Sequence, residues 1–290
     1  GPFFITVNRA KIKTKSVKSK IIEPNYAYVR ITQFQERTGQ DLAKALTKLR
    51  KENKFAFNGI ILDMRNNPGG LLNSSVAVSA AFLKEDKLVV YTEGRTPDSR
   101  MKLTTAPENF IRDNPTKNNY IKKLPQDIQD TPLVVLINNG SASASEIVAG
   151  ALQDHKRALI VGTRSFGKGS VQTILPMNNG TAIKLTTARY FTPNGRSIQG
   201  KGIDPDIIVK DGSEFLAIRE ADLTNTLSNP QDKKKNQEEK SGDKPTVKVP
   251  TSDGGEALRS FKPVELGGKN DKQFNEALNI LKGIDLYQKN

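Results

Sequence analysis

The run Asn139-Gly140-Ser141-Ala142-Ser143-Ala144-Ser145-Glu146-Ile147 places three hydroxyls where a buried strand hands over to a buried helix. In an α/β sheet that junction lies at the carboxyl end of the strands, where reactive groups are presented. Ser143 and Glu146 have the spacing of a capping box, worth about 1 kcal/mol to a helix. Capping does not exclude chemistry. A serine at a helix start has unpaired backbone N–H groups beside it, and such donors can hold a developing oxyanion. The chemistry on offer is attack by a hydroxyl on an acyl group.

A serine nucleophile needs a base. His155 is the single histidine, but along one helix twelve residues at ~1.5 Å rise put it about 18 Å from Ser143. A Ser-His-Asp triad within one chain is excluded on that ground. What remains is a lysine made neutral by burial. Lys168 is placed for this, between two glycines in Ser165-Phe166-Gly167-Lys168-Gly169-Ser170-Val171-Gln172 and directly before a strand. Gln172, four residues on, faces the same side of an extended chain and can orient an amine without adding charge. The plain alternative is a loop lysine pointing into water. Asn66-Asn67-Pro68-Gly69-Gly70 follows another buried strand, and its glycine pair lets backbone N–H groups approach a ligand. An ordinary strand-to-helix turn explains it equally well.

The elements that must position these residues alternate along the chain. Asn25–Phe34 and Gly59–Met64 read as strands, the second a buried apolar run. Between them Leu42, Ala45, Leu46 and Leu49 mark an amphipathic helix with start signals at Thr38 and Asp41. Leu72–Lys84 is helical, and Leu88–Thr92 and Pro132–Asn138 are strands. Ser143–Asp154 is a buried helix and Ala158–Gly162 a strand. Gly169–Pro176 and Thr181–Phe191 flank Asn178-Asn179-Gly180, a hairpin signal. The expected fold is α/β: a mostly parallel sheet with crossover helices, then antiparallel strands and a C-terminal helical tail.

Length and composition bound the rest. The 290 residues suit one large domain or two smaller ones. No apolar run approaches the ~18 residues of a membrane span. There is no cysteine, so no disulfide, thiolate nucleophile or Cys-based metal site. One histidine cannot build a multi-His metal centre, and no cofactor or metal is expected. Of the +14 net charge, residues 1–60 carry most, with 13 Lys and Arg against 4 Asp and Glu. Lys11, Lys13 and Lys15 alternate as on a solvated strand face, without the aromatics that would stack bases, so no nucleic-acid partner is expected.

Taken in order, four segments resemble the carboxyl-terminal processing proteases, also called tail-specific proteases, of the Ser-Lys serine endopeptidase type. They are IIEPNYAYVRITQF at 21–34, GIILDMRNNPGG at 59–70, INNGSASASEIVAGAL at 137–152 and GTRSFGKGSVQ at 162–172. GIDPDIIV at 202–209 fits the family's closing strand, and the likeness covers roughly residues 3–215. The resemblance implies a crotonase/ClpP-like core, with Ser143 as nucleophile, Lys168 as general base and Gln172 as the orienting third member. Backbone N–H groups of Ala144 and of Gly69 or Gly70 would form the oxyanion hole. It further implies cleavage of protein substrates near apolar C-termini, in a bacterial periplasm or cell envelope, with room for an adaptor protein.

On this reading residues 1–20 are the remnant of a strand flanking a deleted PDZ domain, plus a basic strand. Residues 21–215 are the protease core with an insertion at 94–130, and 216–290 are a flexible charged linker and a C-terminal helix. Gly1-Pro2 reads as a remnant of tag cleavage. The insertion and the linker at 229–245 are expected to be the most mobile parts. Phe274, Ala277, Leu278 and Leu281 form an apolar stripe that must dock somewhere, a homo-oligomer contact being one candidate. The competing readings are a crotonase-like acyl-group enzyme and a non-catalytic scaffold or ligand-binding module.

Overall fold

A computed structural model describes residues 15–212, 218–224, 226–232 and 265–289. In chain order the main elements are β1 (Val17–Glu23), β2 (Tyr26–Ile31), α1 (Thr38–Asn53), β3 (Gly59–Asp63), α2 (Leu72–Ala80), β4 (Leu88–Gly94) and β5 (Lys102–Thr104). There follow β6 (Leu133–Ile137), α3 (Ala144–Asp154), β7 (Leu159–Gly162), β8 (Ser170–Pro176), β9 (Ala182–Phe191), β10 (Ile207–Ile208) and α4 (Lys272–Lys289). One sheet has the order β1-β2-β3-β6-β7-β10, parallel except for the β1–β2 pair. A second, antiparallel sheet has the order β5-β4-β9-β8. The architecture is mixed α/β.

Strand period explains why the first sheet is apolar on both faces. Side chains alternate sides, so Ile60 and Leu62 of β3 enter one core cluster while Ile61 enters the other. Val134 and Leu136 of β6 likewise oppose Leu133, Val135 and Ile137. Helices α1, α2 and α3 cover the first face, and α4 covers the second through Phe274, Ala277, Leu278 and Leu281. The apolar stripe of α4 is thus occupied within the chain, while Leu286 and Tyr287 beyond it stay exposed.

A buried ionic network fastens α4. Arg65 is almost fully buried and forms hydrogen-bonded ion pairs with Asp63 at 2.7 Å and Asp271 at 2.6 Å. Its guanidinium also donates to Gln273, whose amide in turn donates to the Val209 carbonyl. Asp63 further accepts from Tyr28 and Arg30. Burial alone would favour the neutral guanidine, but the Asp271 and Asp63 carboxylates outweigh it and hold Arg65 firmly protonated.

Three expectations about organisation change. The boundary at residue 20/21 cuts through β1, which hairpins onto β2 across Pro24-Asn25 with Asn25 at φ 69°. The described end of the 216–290 tail is not separate from the core, because α4 covers one face of the sheet. The 94–130 stretch is tied down rather than loose: Phe110, Ile111 and Ile128 are buried in the main core. At its far end Arg157 donates to the carbonyls of Ile128 and Thr131. Polar composition hid these anchors, since a few apolar residues without period suffice to pin a loop. The proposed strand Phe3–Arg9, Lys11, Lys13 and most of the 229–245 linker lie outside the described residues. The linker's first residue, Asn229, is buried and donates to the Gln199 carbonyl. Of the basic cluster, Lys18 is exposed on β1, while Lys20 donates to the Gly267 carbonyl.

Candidate active site

Adjacent parallel strands β3 and β6 release their chains side by side, and two asparagines lock the loops that follow. Asn138 accepts the N–H groups of Asn66 and Gly140 and donates to the Asn66 side chain. Asn67 donates to the Ile31 carbonyl, and its own carbonyl accepts the Ala142 N–H and the Ser145 hydroxyl. This separates the three serines. Ser141 is fully buried and donates to the Met64 carbonyl at 2.8 Å. Ser145, equally buried, is committed to Asn67. Ser143 alone is partly exposed.

Ser143 also has the unusual backbone. It sits at φ 55° and ψ −112°, immediately before the first turn of α3. A non-glycine residue held there stores roughly 1–3 kcal/mol of strain, the mark of an over-determined site. Ser143 thus stands at the N-terminal end of α3, beside its first N–H groups.

Gly69 and Gly70 are distinguished by their hydrogen bonds. The Gly69 N–H is taken by the Asn67 side chain at 2.9 Å. Gly70 is exposed, and among the described residues neither its N–H nor that of Ala144 has an acceptor. Both glycines have positive φ, 96° and 145°. A Cβ on Gly69 would lie 2.7 Å from the Ala142 carbonyl oxygen, 2.8 Å from Ser143 Cβ and 2.9 Å from the Ala144 nitrogen. Gly69→Ala should therefore displace the serine turn itself. A shift of about 1 Å costs on the order of a hundredfold in rate, to be read as the rate of Ser143 modification by an acylating or phosphonylating probe.

Lys168 is presented by a loop clamped at both ends of its peptide. Its N–H donates to Glu146 at 2.9 Å, and its carbonyl accepts the Tyr190 hydroxyl. Phe166 N–H donates to the Ser141 carbonyl, which ties this loop to the serine turn. From the other side Gly169 N–H donates to the buried Gln199, and Gly200 N–H to the Gly167 carbonyl. The Lys168 side chain is half-buried, and among the described residues its amine has no hydrogen-bond or ion-pair partner. Gln172 is exposed on β8, with no side-chain hydrogen bond to Lys168. The structure thus brings together the backbones of Ser143, Lys168, Gly69 and Ala144. It does not bond the side chains of Ser143, Lys168 and Gln172 to one another. His155 ends α3 and bonds the Leu88 carbonyl, away from the serine turn.

The sequence assigns Tyr190 no role and Glu146 only that of a helix cap. Tyr190 on β9 is buried, its phenol donates to the Lys168 carbonyl, and the Ser143 side chain lies beside it. Burial, followed by the nearby Glu146 charge, pushes that phenol well above its ordinary range. The Glu146 carboxylate is fully buried and accepts the Ser143 N–H at 2.7 Å. The Ser143-x-x-Glu146 spacing could have flagged it, whereas nothing local marks a strand tyrosine 47 residues away.

Residues 25–209 match the model of peptidase family S41. The chain belongs to that family. This S41 peptidase is 40% identical over 97% of its length to a carboxy-terminal-processing protease of Bartonella bacilliformis, covering 57% of that protein. It is 38% identical over 62% of its length to carboxyl-terminal-processing peptidase 3, chloroplastic, of Arabidopsis thaliana, covering 31% of it. Among solved structures it resembles the photosystem II D1 C-terminal processing protease, at 32% identity and TM-score 0.54, over 69% of this chain and 50% of that one. A putative S41 protease from Bacteroides fragilis, at 17% identity and TM-score 0.62, covers 94% of this chain and shares the fold; 59% of that chain is covered. The S41 peptidase described here spans from about a third to under two thirds of the length of these relatives.

Proposed function

We propose that the chain is the core of a serine endopeptidase that processes proteins near their C-termini through an acyl-enzyme. The observation that carries this is Ser143: alone of three serines it is partly exposed, and it stands at a strained φ beside the unpaired N–H of Ala144. Ser143 attacks the scissile carbonyl, and Lys168 takes its proton. With the Lys168 backbone clamped by Glu146 and Tyr190, rotation of its side chain is the motion that would bring the amine toward the hydroxyl. Gln172, on the strand that follows, would orient that amine once it has turned. The Ala144 and Gly70 N–H groups hold the oxyanion, since the Gly69 N–H is already engaged.

Substrates are proteins with apolar C-termini: the names of the relatives support C-terminal processing, and the exposed apolar side chains Ile174, Leu175, Ile183 and Leu185 of the β8–β9 hairpin support the apolar preference. A bacterial envelope location, an adaptor protein and a PDZ domain in the parent protein belong to the same reading. So does a crotonase/ClpP-like description of the core, supported by the parallel β2-β3-β6-β7 order with helices on both faces. Incubation with a fluorophosphonate probe, followed by peptide mapping, tests the assignment: the adduct is expected on Ser143. An adduct on Ser141 or Ser145, or no adduct under conditions that label a known serine peptidase, overturns it.

A further inference from the structure

Glu146 does more than cap α3. Its two oxygens receive four donors from two different segments: Ser143 N–H at 2.7 Å, the Ser165 hydroxyl and Gly167 N–H at 2.6 Å each, and Lys168 N–H at 2.9 Å. The Ser165 hydroxyl is itself committed, because it accepts the Ile203 N–H at 2.7 Å. Its proton is left to point at Glu146. No group around the carboxyl accepts, so only the ionised form satisfies all four. Among the described residues this is the one side chain hydrogen-bonded to the amides of both Ser143 and Lys168.

We propose that Glu146 is a positioning residue whose ionised carboxylate sets the Gly167-Lys168 backbone in register with the Ser143 amide. The claim rests on the reading of Ser143 and Lys168 given above. Its physical basis is that one rigid planar group bridges two loops that are otherwise joined locally by the single Phe166–Ser141 backbone bond. Protonation places a hydrogen among donors and must release at least one of them. Lys168 meets it through its backbone N–H, and the titratable side chain coupled to it from another element is the Tyr190 phenol on β9. Glu220 acts on that phenol from the segment bracing Gln199.

Burial pushes the Glu146 carboxyl up to about 7, against the pull of its four hydrogen bonds. Its effects on stability and on activity therefore have opposite signs. A carboxyl raised in the folded state favours folding most at low pH, and that contribution is lost as pH rises through 7. Acidification below 7 should leave the fold intact while loosening the Lys168 loop.

Two measurements on the full chain test this. In the first, the rate of fluorophosphonate modification of Ser143 is followed from pH 5 to 9 in wild type and Glu146→Gln. The amide keeps the volume but turns an NH₂ toward donors. Below 7, the wild-type rate should fall more steeply with acid than that of Glu146→Gln, the difference being the proton taken up by Glu146. Glu146→Gln should be slower by roughly a hundredfold, the cost of about 1 Å of misplacement, and should lack that additional step. A rate within about threefold of wild type and an unchanged slope would overturn the proposal.

The second needs neither activity nor a variant. Amide hydrogen exchange of Gly167 and Lys168 in wild type, corrected for intrinsic pH dependence, should lose roughly tenfold protection between pH 8 and 6 while the thermal midpoint holds. Unchanged protection overturns the role of Glu146. Absence of labelling with the protection change present would instead overturn the catalytic reading alone.

Discussion

Lys168→Arg and Ser143→Ala are each expected to lower turnover of an unfolded protein substrate by at least about 10³-fold, as loss of either member of a nucleophile–base pair does. Arginine keeps the positive charge, and the backbone contacts to Glu146 and Tyr190 do not depend on the side chain. A guanidinium, however, does not deprotonate in proteins and has no lone pair to offer. Ser143→Ala removes the hydroxyl but not the turn, which the Asn67 and Asn138 bonds hold. Both variants should melt within a few degrees of wild type, since a lost cap or surface contact is worth about 1 kcal/mol. Turnover is read on an unfolded model protein, and modification of Ser143 with the fluorophosphonate probe. Near-normal turnover of Lys168→Arg would send the search for the base elsewhere.

Arg65→Met is expected to have the largest effect on stability. It leaves the carboxylates of Asp63 and Asp271 buried without their shared cation. Breaking a buried pair in this way costs about 3–5 kcal/mol. At 2–4 °C per kcal/mol for a domain of this size, the thermal midpoint should fall by roughly 6–20 °C. The loss should come first as release of α4, because Asp271 also organises the start of that helix by accepting the Gly267 and Phe274 N–H groups. Burial works against the Asp271 carboxylate, but its Arg65 partner prevails and holds the group below the ordinary range. A depressed carboxyl stabilises above its unfolded value, near 3.9, and that stabilisation is lost as pH falls below it. Wild type should therefore lose α4 protection in acid, and Arg65→Met should show much less of that acid step. A melting curve for Arg65→Met that overlays wild type at pH 7 would mean that the network contributes nothing net.

Glu146 illustrates where sequence reading stops. Its i+3 spacing from Ser143 is local, and local geometry suffices to expect a carboxylate at a helix start. That the same carboxylate also holds the Ser165–Lys168 loop depends on a contact 22 residues away, which no spacing encodes. Tyr190 is the same case with less warning, one more aromatic on a strand. Gln172 shows the converse. Strand alternation predicts it on the side of Lys168, but β8 starts only at Ser170 and its register shifts between Val171 and Gln172, leaving the Gln172 side chain exposed with no hydrogen bond among the described residues.

The alternation of buried strands with helices, the two loops at strand ends and the register of serine, lysine and glycines are matters of period and of residue type. These are properties of a few consecutive residues, so the sequence by itself determined them. Which serine is exposed, which glycine keeps a free N–H, how the 94–130 stretch is anchored and where α4 goes were decided only by the tertiary structure. Each turns on whether a polar or apolar group finds a partner far along the chain. Ser141 and Ser143 are the same amino acid two positions apart; one is silenced by the Met64 carbonyl 77 residues before it, and the other is not.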